Sequence, residues 1–251
     1  MKKISAVLLL ILIVLQSNAQ PKLTVAVAAN MQYAAQELIS EFNKTEDITI
    51  NIVLGASGNL SQQIMHGAPF DIFIAADEEF PRKIAANGFS LEPPKIYAQG
   101  ILVLWTAKPN LSLSEDLTLL QSEKIKSIAI ANPKTAPYGQ AAIALLKKRG
   151  IYEKVSSKLV TGESITQTSH FIATKNADIG FTAKSIVISK KMKEVGKWLT
   201  LNIQDYPPIR QSAVLLKYAQ THHESDAKKF YNFLYSEKAN AIYQKFGYVI
   251  K

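Results

Sequence analysis

The chain of 251 residues contains no cysteine. That absence excludes a disulfide framework, thiolate metal sites and thiol chemistry, so stability must come from packed cores. Histidine is scarce: His66, His170, His222 and His223 are the full complement. None stands at metal-ligand spacing from a second histidine or a carboxylate. His222-His223 lies in a polar stretch and reads as surface. The sequence has no Walker loop, no dinucleotide glycine fingerprint and no repeat of solenoid period. The stretch Gly55-Ala56-Ser57-Gly58-Asn59 is not a Gly-x-Ser-x-Gly nucleophile elbow, because Asn59 stands where the last glycine belongs.

Long apolar runs are also missing after the first residues. Met1-Lys2-Lys3 is a short basic start, Ile4 to Leu15 is apolar apart from Ser5, and Ser17-Asn18-Ala19 supplies small residues before Gln20. This is the pattern of a secretory signal peptide, residues 1–19, cleaved after Ala19. The run is short for a membrane span of roughly 20 residues, and no cysteine is available for lipid attachment. The expected product is soluble and exported. The formal charge of +9 falls to +7 once Lys2 and Lys3 leave. The remaining lysines are scattered, as on a solvated face, and export argues against a nucleic-acid partner.

What is present is an alternation of strands and helices. Leu23–Ala28, Ile48–Leu54 and Asp71–Ala75 read as strands, with helices over Met31–Asn43, Leu60–His66 and about Glu79–Asn87. Asp77-Glu78-Glu79 supplies carboxylates to the start of the last of these helices. Tyr97 to Trp105 reads as one long extended run crossing into a second lobe. There the rhythm repeats: strand Ser127–Ala131, helix Gln140–Arg149, strand Lys158–Val160, helix Ile165–Lys175 and strand Ala177–Thr182. Gln211–Leu216 is a strand that returns the chain to the first lobe, and two helices, Ser225–Tyr235 and Ala239–Phe246, close it. The expected division is lobe I over residues 20–102 and 212–251, and lobe II over 103–211. The fold class is α/β, with mostly parallel sheets flanked by helices.

Four turns share one pattern, in which a strand ends, small or polar residues follow, and a helix begins. They lie at Ala29-Asn30, Ala56-Ser57-Gly58, Pro137-Tyr138-Gly139 and Ser164-Ile165. Asn30 and Ser57 read as N-caps. The first N–H groups of a helix have no intrahelical partner and carry part of the macrodipole, which makes such turns natural anion sites. In open α/β sheets they fall at the carboxyl edge of the strands, where ligands bind.

With these stretches in view, the chain resembles the periplasmic molybdate-binding proteins of ABC transporters, within the class II solute-binding fold. The resemblance rests on Val25-Ala26-Val27-Ala28-Ala29-Asn30, Gly55-Ala56-Ser57-Gly58-Asn59-Leu60 and Gly67-Ala68-Pro69-Phe70-Asp71 with Ala75-Ala76-Asp77. It extends to Ala131-Asn132-Pro133-Lys134-Thr135-Ala136-Pro137-Tyr138-Gly139, Ala177-Asp178-Ile179-Gly180-Phe181 and Phe246-Gly247-Tyr248-Val249-Ile250. It implies a two-lobed binding protein with a hinge between the lobes, in the periplasm, monomeric and without catalytic residues or cofactor. Such a protein captures molybdate, and with it tungstate, and passes it to a transporter permease in the inner membrane. Carried across by position, the oxyanion site falls on Ala29, Asn30, Ser57, Tyr138 and Ile165. Ser57 matches a serine that binds through hydroxyl and N–H, and Tyr138 and Ile165 match backbone donors. Ala29 has no hydroxyl, so only its N–H can serve. Ala183 stands where some members carry a tyrosine hydroxyl, so that contact is expected to be missing.

A donor-only pocket suits molybdate, tungstate and sulfate, which are fully deprotonated dianions at neutral pH. Phosphate keeps a proton and asks for an acceptor carboxylate, and none is among the candidate positions. Two alternatives accompany this reading. One is a binding protein for another anion, such as sulfate. The other is an exported hydrolase using Ser57, which requires a histidine nearby; His66 is nearest in sequence, about two turns along the same helix.

Overall fold

The structure is a computed structural model and describes residues 22–250. The expected signal peptide, residues 1–19, lies outside the described residues. Two five-stranded sheets organise the chain.

In the first sheet β1 (Lys22–Ala28) lies between β2 (Thr49–Gly55) and β3 (Ile72–Ile74), parallel to both. β10 (Ile209–Leu215) runs against β3, and β4 (Lys95–Gly100) runs against β10, giving the order β2-β1-β3-β10-β4. The second sheet follows the same plan. β6 (Ile128–Ala131) lies between β7 (Leu159–Gly162) and β8 (Ile179–Ala183) in parallel, and β5 (Leu102–Thr106) runs against both β8 and β9 (Lys197–Thr200). In each sheet a single strand is reversed, and it is the first to enter after the chain has crossed over from the other sheet.

The crossing explains one departure from the sequence reading. Tyr97 to Trp105 is not one strand: β4 ends at Gly100 and β5 starts at Leu102, each in a different sheet. Gly100 marks the break because no side chain fits there. A Cβ would collide with the Tyr138 hydroxyl and the Gln211 amide.

Helices cover both faces of each sheet, so the central strands are buried on both sides. α1 (Gln32–Phe42), α2 (Ser57–Met65) and α3 (Glu79–Ala86) belong to the first sheet. α4 (Pro137–Lys148), the short α5 (Tyr152–Val155), α6 (Ile165–Ala173) and the one-turn α7 (Lys184–Val187) belong to the second. The chain closes with α8 (Lys217–His222), α9 (Glu224–Phe233) and α10 (Glu237–Lys245). The sequence reading did not include α5, α7 or α8, which are too short for helical periodicity to register.

Side-chain alternation along the strands separates the cores. In the first lobe Val25, Val27 and Ile72 face Leu38 and Tyr243, while Ala26 and Phe73 face Leu60 and Ile64. In the second, Leu102 and Leu104 point to one core and Val103 and Trp105 to the other. The lobe II core extends across the gap to Ala28, Ala29, Ala56 and Ala76 of the first lobe. The two lobes are therefore in contact along the carboxyl ends of their parallel strands.

Candidate functional site

The carboxyl ends of β1, β2, β6 and β7 each lead into a helical turn facing the gap between the lobes. After β1 comes a short 3-10 turn, Ala29–Met31, and after β2 comes α2. Across the gap α4 follows β6 and α6 follows β7. A small cavity of about 10 Å³ lies where they meet, and Ala29, Asn30, Ser57, Tyr138 and Ile165 all line it. Ala76, Pro137 and four further small residues complete the wall, and no charged side chain contributes. The five residues read from the sequence as one site are thus brought together, although they span 136 positions from Ala29 to Ile165.

The local roles differ from the sequence expectation in two places. Ser57 is not the N-cap of α2; Ala56 holds that position and Ser57 is the first helical residue. Its hydroxyl is therefore not spent on its own helix. It accepts the Ala76 N–H at 2.9 Å, with Ser57 99% buried. Asn30 is not a cap either. Its side-chain amide donates to Gln211 Oε1 (3.0 Å) and to the Tyr248 hydroxyl (2.9 Å), behind the cavity wall. The Asn30 amide oxygen is buried and has no hydrogen-bond partner. Ser164, by contrast, caps α6 through its hydroxyl, which accepts the Gln167 N–H.

At the start of α4, Pro137 occupies the first position, where a missing N–H costs nothing. Tyr138 follows, so its N–H is the first one that this helix offers. Gly139 then allows the helix to sit directly on β6, because a Cβ there would run into the Ala131 carbonyl. The Ile165 N–H is likewise a first-turn donor without an intrahelical acceptor. Ala183 ends β8 with no hydroxyl to offer.

Hydrogen bonds cross the gap around this cavity. Gly58 N–H donates to Thr135 O at 2.9 Å, and the Ser185 hydroxyl to Asn30 O at 2.9 Å. The Thr166 hydroxyl reaches Ala29 O at 3.3 Å, and Gln211 Nε2 donates to the Tyr138 hydroxyl at 3.1 Å. Gln211 also accepts from the Tyr97 hydroxyl at 2.8 Å. This buried cluster of Asn30, Gln211, Tyr97, Tyr138 and Tyr248 was not legible in the sequence, since its members lie on five separate segments. Burial pushes the phenols of Tyr97, Tyr138 and Tyr248 upward, so they remain neutral.

One carboxylate stands close by. Asp77 follows Ala76 and lies next to Ser57. Burial raises its pKa to about 6, against the lowering effect of the Phe80 N–H and the Ser57 hydroxyl. The sequence reading assigned Asp77 to the next helix, and Asp77 Oδ1 does accept the Phe80 N–H at 2.7 Å. Its closeness to Ser57 is not legible in the sequence, because nineteen residues lie between the two. His66 is not a partner for Ser57: its ring hydrogen-bonds Gln62 O at the far end of α2.

A two-lobed frame with a small cavity between the lobes, walled by small residues and without a charged side chain, defines a solute-binding class of protein. Residues 23–249 match the family of bacterial extracellular solute-binding proteins, and the chain belongs to that family. It is 40% identical to the molybdate-binding protein ModA of Rhodobacter capsulatus over 225 residues, which cover 89% of this chain and 86% of that protein. Identity to ModA of Azotobacter vinelandii is 38% over 225 residues, covering 89% and 88%. The solved Azotobacter vinelandii periplasmic molybdate-binding protein superposes with a TM-score of 0.86 at 34% identity, covering 91% of this chain and 99% of the other.

Proposed function

We propose that this protein captures a tetrahedral oxyanion, molybdate or tungstate, between its lobes and delivers it to an ABC transporter permease. The observation that carries this reading is the convergence of helix-start turns from both lobes on one cavity with no charged side chain in its wall. Each α-helix start contributes roughly half a positive charge, so α2, α4 and α6 together offset most of a dianion. The contacts are to the anion's oxygens: the Ser57 hydroxyl, and backbone N–H groups of Ala29, Asn30, Ser57, Tyr138 and Ile165. The metal centre itself meets no protein ligand, and the role needs no cofactor and no catalytic group. The names of the relatives support molybdate over sulfate. The protein works as a periplasmic monomer once its leader has been removed.

A thermal-shift comparison of molybdate, tungstate, sulfate and phosphate tests this. Ligand at a hundred times its Kd stabilises the folded state by about 2.7 kcal/mol, which for a chain of this size raises Tm by roughly 5–10 °C. Molybdate and tungstate are expected to give that shift and phosphate none. No shift with any of the four overturns the reading.

A further inference from the structure

We propose that Asp77 is a positioning residue of the oxyanion site: its buried carboxylate takes up a proton as the anion is captured, which releases the Ser57 hydroxyl to the ligand. This rests on the binding reading above and deepens it.

The geometry starts from the hydroxyl. Ser57 Oγ already accepts the Ala76 N–H, and a serine hydroxyl has a single proton to give. On one side of Ser57 is the cavity; on the other is Asp77. Asp77 Oδ1 is occupied by the Phe80 N–H, whereas Oδ2 is buried and makes no well-formed hydrogen bond. An ionised Oδ2 therefore competes for the one proton of Ser57. In that state the cavity faces an oxygen lone pair, which repels a dianion. A neutral Asp77 makes no such demand, and Ser57 can donate into the cavity.

The charged groups around Asp77 do not relieve it. From α3, the Glu79 carboxylate adds like charge and raises the Asp77 pKa further, while the Glu79 N–H lowers it. Arg82 from α3 and Arg210 from β10 are the nearby cations, and both are engaged by Glu78, at 2.5 and 3.6 Å. Ser212 of β10 donates to the Asp77 main-chain carbonyl rather than to its carboxylate, and α4 presents only the neutral Gln140. A dianion arriving beyond Ser57 adds negative charge beside a carboxylate that already sits near neutrality in its proton equilibrium. The proton comes from solvent and binds Asp77 Oδ2; no covalent bond changes elsewhere.

Calorimetric titration with molybdate at pH 7, repeated in buffers of different ionisation enthalpy, counts the protons taken up. The wild type is expected to take up most of one proton per anion, and Asp77→Asn, which keeps the acceptor for the Phe80 N–H, none. Between pH 6.5 and 8 wild-type affinity falls by up to about tenfold per pH unit, while Asp77→Asn stays flat and binds more tightly than wild type at the alkaline end. A wild type that binds molybdate with no proton uptake, or an Asp77→Asn with wild-type uptake, overturns the proposal. The wild-type measurement decides on its own if the variant does not fold. No molybdate heat from the wild type, in any buffer, refutes the underlying binding reading instead.

Discussion

Replacing Gln211 by leucine removes the polar centre that ties the two lobes together behind the cavity. Gln211 is fully buried on β10 and makes three side-chain hydrogen bonds, to Asn30, Tyr97 and Tyr138. Two of these partners have a second contact: Asn30 keeps Tyr248 at 2.9 Å, and Tyr97 keeps the Ala75 carbonyl at 3.0 Å. The variant therefore leaves one Asn30 N–H and the Tyr138 oxygen without a partner. At about 1–3 kcal/mol for each of the two buried unsatisfied groups, less the roughly 1–2 kcal/mol that a buried leucine returns, the net loss centres on about 2–3 kcal/mol. Urea unfolding reads this directly, and the corresponding Tm falls by roughly 4–12 °C. Only the Tyr138 bond crosses between lobes, so molybdate affinity should weaken as well, because closure is less well held. A Gln211→Leu protein within about 0.5 kcal/mol of wild type, with unchanged affinity, would show that the cluster neither stabilises the chain nor supports closure.

Three further outcomes are expected. Ser57→Ala removes a hydroxyl hydrogen bond to a charged ligand, worth about 1.5–3 kcal/mol, so titration should show molybdate binding roughly 10- to 150-fold weaker with the fold intact by circular dichroism; unchanged affinity would remove Ser57 from the site. Gly139→Ala drives a methyl group into the Ala131 carbonyl and must lift α4 off β6, costing about 1–3 kcal/mol in chemical denaturation and weakening anion binding through the displaced Tyr138 N–H. Asp178 accepts the Lys126 and Ser127 N–H groups at 2.6 and 2.9 Å and pairs with Lys108. Burial alone would raise its pKa, but Lys108 and the two amides outweigh burial and hold it below the ordinary value. Its contribution is therefore present above the ordinary carboxylate range and is lost as pH falls through the folded-state pKa. The stability deficit of Asp178→Asn, measured by denaturation, should be largest at neutral pH and shrink as pH falls below the ordinary carboxylate range; a deficit independent of pH would contradict this.

The sequence carried the framework of the fold because the strands are short apolar runs ended by small residues, and the helix after each has a clear apolar face. It also carried the site as a set of turns, since Ala29-Asn30, Ser57, Tyr138 and Ile165 each follow a strand end. What it could not carry were the contacts that reach across the chain. Tyr97–Trp105 looks continuous in one dimension, and only packing against Tyr138 and Gln211 shows why Gly100 must divide it. Ser57 and Asn30 looked like caps because of their residue type. In three dimensions their side chains are recruited by Ala76 on one side and by Gln211 and Tyr248 on the other. Asp77 beside Ser57 is the clearest case: local pattern assigned it to α3, which is correct for Oδ1, while Oδ2 lies in an environment set by another helix.

The most direct measurement is a calorimetric titration of the mature protein with molybdate, followed by displacement with sulfate. One molybdate per chain, bound too tightly for an excess of sulfate to displace, is the predicted result. Absence of molybdate binding, or equal binding of sulfate, would contradict a cavity built for molybdate.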